Sequence, residues 1–309
     1  MNGESVSVVI PCYGGARYLP FAIESCMAQT YRDLEIIVVD DASPDDCAEI
    51  ARRYAASDSR IRVLERRENG GVSKAFNTGF EAAQGNYFTR LAQDDVFRVD
   101  AIERMVGFLA KFPKLAFVYC DYECIDAQGA VIGYRKVPAS ENALRFRNDI
   151  GLCVMWRRLV WETLGGFSSV YDTAEDFEYW LRIVDQFNIG RCPGCAPMYV
   201  RMHPDTGTNR QFVHQEAATI EVLKSAAEQC NRNHRLQLRK GLAYAALSFA
   251  TDYSIRGMHG QALARIVKSL ALWPLPFRRK ETRTRFFRAK ALAVALMRWL
   301  RRSGDLSEV

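Results

Sequence analysis

The chain has 309 residues, 25% charged and 49% hydrophobic, a composition that excludes a disordered polymer and gives room for one large domain or two modest ones. No apolar run reaches the roughly 20 residues that a bilayer span needs, and the opening Met1 to Ser7 is polar, so neither a spanning segment nor a signal peptide is expected. The net charge of +6 is unevenly placed: residues 1–210 hold 24 Lys/Arg against 29 Asp/Glu, and residues 211–309 hold 18 against 7.

From Ser5 to Pro11 the run SVSVVIP is β-branched and ends in proline, as a buried parallel strand does before its loop. Residues 18–28, YLPFAIESCMA, have helical spacing, with Pro20 tolerable only in the first turn. LEIIVVDD at 34–41 is a second buried strand that ends in two aspartates, and a helix follows from Ser43 to Ala56. Strands at 61–66 and 86–92 alternate with helices at Ser73–Ala83 and Val99–Lys111. Strands and helices in such short alternation predict an α/β fold, a doubly wound and mostly parallel sheet.

A sheet of this kind binds its ligand at the carboxyl ends of its strands. Pro11–Cys12–Tyr13, Asp40–Asp41 and Gln93–Asp94–Asp95 fall there, so the predicted crevice is acidic. A phosphate enters an acidic crevice with a divalent cation between them, and Mg²⁺ or Mn²⁺ takes carboxylate, phosphate and water oxygens. Capping of the next helix is the plainer use of Asp40–Asp41. Asp94–Asp95 is harder to explain that way, because adjacent carboxylates repel unless a cation or solvent offsets them.

VSVVIPCYGGARYLPFAIESCMAQTYRDLEIIVVDDAS and ENGGVSKAFNTGFEAAQGNYFTRLAQDD resemble the nucleotide-sugar half of family 2 glycosyltransferases, over about residues 5–210. The resemblance implies the GT-A fold, with a catalytic domain at 1–210 and a basic helical region at 211–309. It places Pro11 and Tyr13 along the nucleoside base, Asp41 toward the uracil or ribose, and Asp40 in support. Gln93–Asp94–Asp95 matches the metal- and diphosphate-holding signature, with Asp94 toward ribose or metal and Asp95 on the metal itself. Two departures stand out: Ala92 occupies a position that is often acidic in the family, and Phe76 stands where NGG-x-x-x-A-R-N-x-G has its basic residue. Lys74 is the candidate for that charge, with a solvated helix lysine as the alternative.

GGFSSVYDTAEDFEYWLRI at 165–183 resembles the family's GGF loop followed by an acidic pair at a helix start. A helix N-terminus favours an ionised carboxylate, and one facing a cleft suits proton abstraction from a sugar hydroxyl. Asp176 is therefore the candidate base and Glu175 the second candidate or orienter. Trp180, one turn on, is a candidate acceptor-stacking ring or a core aromatic. MYVRMHP at 198–204 resembles the family's Y-R-x-H-P segment, which makes His203 a candidate metal or diphosphate contact, with Arg201 as the alternative phosphate contact.

The implied activity is inverting, metal-dependent and non-processive. A sugar moves from a nucleotide diphosphate sugar, with UDP-sugar as the expected donor, to a hydroxyl of a glycan or lipid-linked acceptor in polysaccharide or glycoconjugate assembly. ALMRW at 295–299 lacks the glutamine of the Q-x-x-R-W motif of processive relatives. A catalytically silent sugar-nucleotide-binding or scaffold protein on the same fold is the alternative.

Nine cysteines spread from Cys12 to Cys230 read as reduced thiols of a cytoplasmic protein. Cys192-Pro-Gly-Cys195 reads as two thiols flanking a turn, since Cys120 and Cys124 lack the spacing of a second zinc pair. Residues 261–302 carry 12 Lys/Arg and one acid among Leu, Trp and Phe. Such a segment suits an anionic membrane surface, hence a peripheral location on the inner face of the plasma membrane, or else a packed basic helix; nucleic acid is not the expected partner.

Overall fold

The structure is a computed structural model that describes residues 4–137, 148, 150, 152–171, 173–204, 206, 211–229 and 232–275. Apolar β-branched runs form the first strands: β1 (Val6–Cys12), β2 (Leu34–Asp40), β3 (Ile61–Glu65) and β4 (Tyr87–Arg90). Between them lie α1 (Leu19–Met27), α2 (Cys47–Ser57) and α3 (Val72–Ala82). β5 (Val96–Phe97), α4 (Ala101–Lys111), β6 (Phe117–Cys120), β7 (Tyr122–Ile125), β8 (Val131–Arg135) and β9 (Val154–Arg157) follow. Then come α5 (Arg158–Leu164), α6 (Glu175–Gln186), β10 (Ile189–Cys192) and β11 (Met198–Arg201).

Seven strands form the main sheet in the order β10-β6-β9-β4-β1-β2-β3. All neighbours are parallel except β9, which runs antiparallel to both β4 and β6. This is the mostly parallel α/β architecture expected of the GT-A fold. In register, Cys12 pairs with Asp40 and Asp40 with Glu65, so three strands end together at one edge. β1 and β2 are buried along most of their length, as continuous apolar runs between two helical layers should be.

A second sheet, β5-β11-β7-β8, has no counterpart in the sequence reading. It matters because β5 begins directly after Asp95 and pairs with β11, which brings residues 94–97 against 198–203.

One face of the main sheet is filled by aromatic rings. Phe80 contacts Phe88, Trp156, Trp161 and Phe167, and Trp180 packs on Phe117 and Trp156. Each such ring buries a large apolar area, and truncating one costs about 3–5 kcal/mol.

The chain divides into two compact units, Met1–Glu141 with Asp149–Phe212, and Asn142–Asn148 with Val213–Val309. The described part of the second is helical: α7 (Phe212–Gln229), α8 (Arg232–Ile255) and α9 (His259–Leu272). Buried Glu216 of α7 accepts from the Tyr253 hydroxyl of α8 at 2.8 Å and from Arg265 of α9 at 3.0 Å, tying the three helices together. Arg265 is thus one basic residue of the 261–302 segment that is engaged within the unit. Residues 276–302, most of that segment and including ALMRW, lie outside the described residues.

Candidate functional site

The carboxyl edge of β1 and β2 opens into the loop Tyr13–Ala16. Gln93 clamps it: the Tyr13 N–H donates to Gln93 Oε1 at 2.8 Å, and Gln93 Nε2 donates to the Tyr13 carbonyl at 3.2 Å. Asp45 accepts from the Ala16 N–H at 2.9 Å. Tyr13 is 48% exposed on this fixed backbone. A Cβ at Gly15 would meet the Gln93 amide at 2.2–2.5 Å, so a side chain there would displace the clamp. Pro11 is the penultimate residue of β1 and is half-buried.

Asp40 is buried beneath this loop, where its carboxylate meets the Cys12 thiol at 3.7 Å and accepts from the Ser43 N–H at 3.3 Å. Asp41 is also buried and has its partners within the chain: Arg66 Nη1 at 2.8 Å, the Gly70 N–H at 3.1 Å and the Gly71 N–H at 2.8 Å. It braces the N-G-G loop at the start of α3, where Gly71 adopts φ +84°. Arg66, at the end of β3, is a partner that sequence reasoning passed over. Lys74 is exposed on α3, beside that loop.

At the end of β4, Asp94 and Asp95 separate. Asp94 Oδ2 lies 3.0 Å from His203 Nε2, so residues 109 positions apart in sequence meet. Asp95, expected on the metal itself, turns inward instead: it is 2% exposed and accepts from the Arg201 N–H at 2.9 Å. Burial, with the Asp94 charge beside it, pushes the Asp95 carboxyl well above the usual carboxylate range. Arg201 is buried too, donating to the carbonyls of Asp94 and Asp126 and lying over the Tyr18 ring. It fastens this loop to β11 and does not reach out as a phosphate contact. Asp94 and His203 present an oxygen and a nitrogen 3.0 Å apart, a pair that fits Mg²⁺ or Mn²⁺ alongside diphosphate oxygens and water.

Asp176 sits in the first turn of α6, 14% exposed at its side chain. Its Oδ1 accepts from the Phe177 N–H at 2.6 Å, and its Oδ2 accepts from Arg90 Nη2 at 3.3 Å. Glu175, beside it, is buried. Arg90 closes β4 and lies over the rings of Phe76 at 5.4 Å and Trp180 at 5.6 Å. Arg90 was missed in the sequence, though a signal existed: a charge inside the apolar strand run NYFTRLA must find a buried partner.

Trp180 corrects one expectation. It is 1% exposed and enclosed by Phe117, Trp156 and Phe167, so it is a core ring and offers no face to an acceptor sugar. The helical periodicity of 175–186 is met by its core-facing side, and Trp180 falls on that side. Asn77 was also passed over. Its amide exchanges hydrogen bonds with the backbone of Phe167 at 2.8 and 2.9 Å, pinning the G-G-F loop to α3 ahead of Asp176.

Residues 7–153 match the family described as Glycosyl transferase family 2. The chain belongs to that family. It is 32% identical over 229 residues to an uncharacterized glycosyltransferase of Rickettsia conorii, a match covering 70% of this chain and 37% of that protein. It is 31% identical over 180 residues to chondroitin synthase of Escherichia coli, covering 58% of this chain and 26% of the synthase. The chain spans less than two thirds of the length of the curated relatives it matches. Among solved structures, residues 1–349 of S. aureus TarS superpose with a TM-score of 0.65 at 15% identity, covering 87% of this chain and 81% of that one. Mannosyltransferase PcManGT from Pyrobaculum calidifontis, in complex with GDP-Man and Mn²⁺, superposes at 0.63 with 20% identity, covering 95% and 86%. These likenesses establish the shared GT-A fold of the family 2 chain. Among the described residues no helix is long and apolar enough to cross a membrane.

Proposed function

We propose that this protein is an inverting, metal-dependent, non-processive glycosyltransferase that moves a sugar from a nucleotide diphosphate sugar to a hydroxyl of a glycan or lipid-linked acceptor. The observation that carries the reading is the Asp94–His203 pair at the end of the strand that also bears Arg90, the partner of Asp176. One strand end thus joins a site for a diphosphate-bound cation to a positioned carboxylate.

Tyr13 lies along the base on its Gln93-clamped backbone, with Pro11 beside it. Asp40 and Asp41 shape the ribose side by fixing the loops at Ser43 and at Gly70–Gly71, and exposed Lys74 faces the diphosphate. Asp94 and His203 would hold Mg²⁺ or Mn²⁺, whose charge would offset that of the departing diphosphate. Buried Asp95 keeps the loop closed on Arg201. Asp176 accepts the proton of the acceptor hydroxyl while its oxygen attacks C1 of the donor sugar; the C1–O bond breaks and its electron pair leaves on the diphosphate. Attack opposite the leaving group inverts C1. TarS was solved with UDP and with UDP-GlcNAc, and PcManGT with GDP-Man, which supports a nucleotide sugar as donor, and we take a UDP-sugar as the first candidate. A place on the cytoplasmic face of a membrane, through the basic segment 261–302, would set the site beside a lipid-linked acceptor.

The test is a thermal-shift screen of UDP-, GDP- and dTDP-sugars with and without Mn²⁺, followed by transfer assays with Asp176→Asn. A metal-dependent shift with one donor, and transfer abolished in the variant, is expected. Absence of any metal-dependent binding overturns the donor site. Transfer that survives Asp176→Asn overturns the choice of base, and binding without transfer to any hydroxyl acceptor favours the silent sugar-nucleotide-binding alternative.

A further inference from the structure

Glycosyl transfer makes no use of the Cys192-Pro-Gly-Cys195 turn, yet the fold brings a third sulfur to it. Cys120 ends β6 and Cys192 ends β10, and in the parallel pairing of these strands the two residues are direct register partners. Residues 193–194 then turn the chain back, Gly194 at φ +67°, and return Cys195 to the same place. The sulfur atoms of Cys120, Cys192 and Cys195 all lie within 4.8 Å of one another. Cys120 and Cys195 are buried, whereas Cys192 is half-buried and leaves a way in from solvent. All three are free thiols in the structure.

We propose that Cys120, Cys192 and Cys195 form a thiolate site for Zn²⁺. The chemistry of the donors selects the ion, because soft thiolates take Zn²⁺ and leave Mg²⁺ and Mn²⁺ to oxygen ligands. Zn–S bonds of about 2.3 Å in a tetrahedron place sulfurs about 3.8 Å apart, inside the 4.8 Å that bounds these three. Three sulfurs leave the fourth position of the tetrahedron to water; Cys153, whose carbonyl accepts from the Cys120 N–H at 3.0 Å, borders Cys120 but lies outside the cluster. The Arg104 guanidinium lies near Cys192 and Cys195 and offsets the negative charge of a thiolate complex. Each thiol that binds releases its proton, so the ion is taken up without any change of oxidation state.

The ion would tie edge strand β10 and the turn at 192–195 to β6. That turn leads into β11, the strand that ends two residues before His203. The zinc site thus braces the segment carrying Arg201 and His203 while remaining separate from the cation site at Asp94.

The test uses the full chain, reduced and handled under nitrogen, with Zn²⁺ or Co²⁺ alone as the probe. One equivalent of Zn²⁺ should remain after gel filtration, and Co²⁺ should give an intense sulfur-to-metal charge-transfer band. Cys192→Ser and Cys195→Ser should lose both signals, whereas Cys124→Ser, outside the cluster, and Asp94→Asn should keep them. Because a serine variant may misfold, protection is read in the wild type as well: Zn²⁺ added first should block alkylation of Cys192 by iodoacetamide. The proposal is overturned if the reduced wild type retains no Zn²⁺, if Co²⁺ binds without a thiolate band, or if folded Cys192→Ser and Cys195→Ser bind as the wild type does. A Cys192–Cys195 disulfide in protein kept free of oxidant overturns it equally.

Discussion

At the end of β4, Arg90 joins three side chains on two helices: the Phe76 ring of α3, and the Trp180 ring and Asp176 carboxylate of α6. Its side chain is 7% exposed, so the pair is held in a low-dielectric setting where losing one partner leaves an uncompensated charge. Phe76 stands where related motifs carry a basic residue, and the cation over its ring now comes from the neighbouring strand. Arg90→Met should therefore lower kcat about a hundredfold through misplacement of Asp176, and Arg90→Lys should recover only part, having charge without the planar stacking surface. A variant whose kcat is unchanged while only its Tm falls would show that Arg90 supports the fold alone. Thr173, three residues ahead of Asp176, is β-branched at φ +73°, and its buried hydroxyl has no hydrogen-bond partner among the described residues. Strain of this kind costs about 1–3 kcal/mol and tends to gather at functional sites. Thr173→Gly should raise Tm by about 2–4 °C while loosening the start of α6 and lowering transfer. Calorimetry together with an initial-rate assay checks both halves, and a fall in Tm would show that the hydroxyl or the β-branch stabilises the turn.

The elements up to residue 111 were legible because their signals are local. Continuous β-branched runs bounded by Pro, Gly and Asp gave strand positions that agree with β1 to β4 within a residue or two. The second sheet was not legible. β5 has two residues, β8 is mostly exposed, and the contact that makes the sheet matter, Asp95 with Arg201, spans 106 positions. Trp180 stayed open between acceptor contact and core ring for a related reason: residue type and helical spacing put it one turn from Asp176 but do not say which side of α6 faces the core. The G-G-F loop depends on one residue of another element, since Asn77 of α3 satisfies both backbone groups of Phe167. Asn77→Ala should leave the Phe167 N–H and C=O without those bonds, cost about 1–3 kcal/mol, and raise KM and lower kcat together. The turn between α2 and β3 offers a control remote from chemistry. Arg60 donates to Asp58 and to the Met27 carbonyl, and its bonds hold the Asp58 carboxyl below the usual range. A depressed folded value means that this stability is present above the unfolded pKa, about 3.9, and is lost as pH falls through the folded value. Asp58→Asn should thus lower Tm at pH 7, with the difference closing in acid; a difference that persists through that range would assign the effect to packing instead of charge.

Over the whole chain, the charge split was legible by counting and has physical consequences for where the protein can work. Residues 1–210 are net acidic, so an anionic surface repels the part that carries the site; attraction has to come from the basic remainder. Within the described part of that remainder, Arg265 is bound to Glu216, which leaves it little to offer a lipid phosphate. The attraction therefore falls mainly to basic residues further along, including the cluster Arg278–Arg279–Lys280. Each Lys or Arg near an anionic bilayer contributes about 1 kcal/mol, so replacing these three by Ala should weaken partition onto phosphatidylserine vesicles about a hundredfold. The same interaction is screened over a Debye length of about 8 Å at physiological ionic strength, so binding of the unaltered chain should fall steeply as salt rises. Vesicle co-sedimentation of the full chain across a salt series reads both effects. Binding indifferent to salt and to the three substitutions would mean that apolar burial holds the protein on the bilayer. No binding to anionic vesicles at low salt would assign the excess positive charge to something other than a membrane.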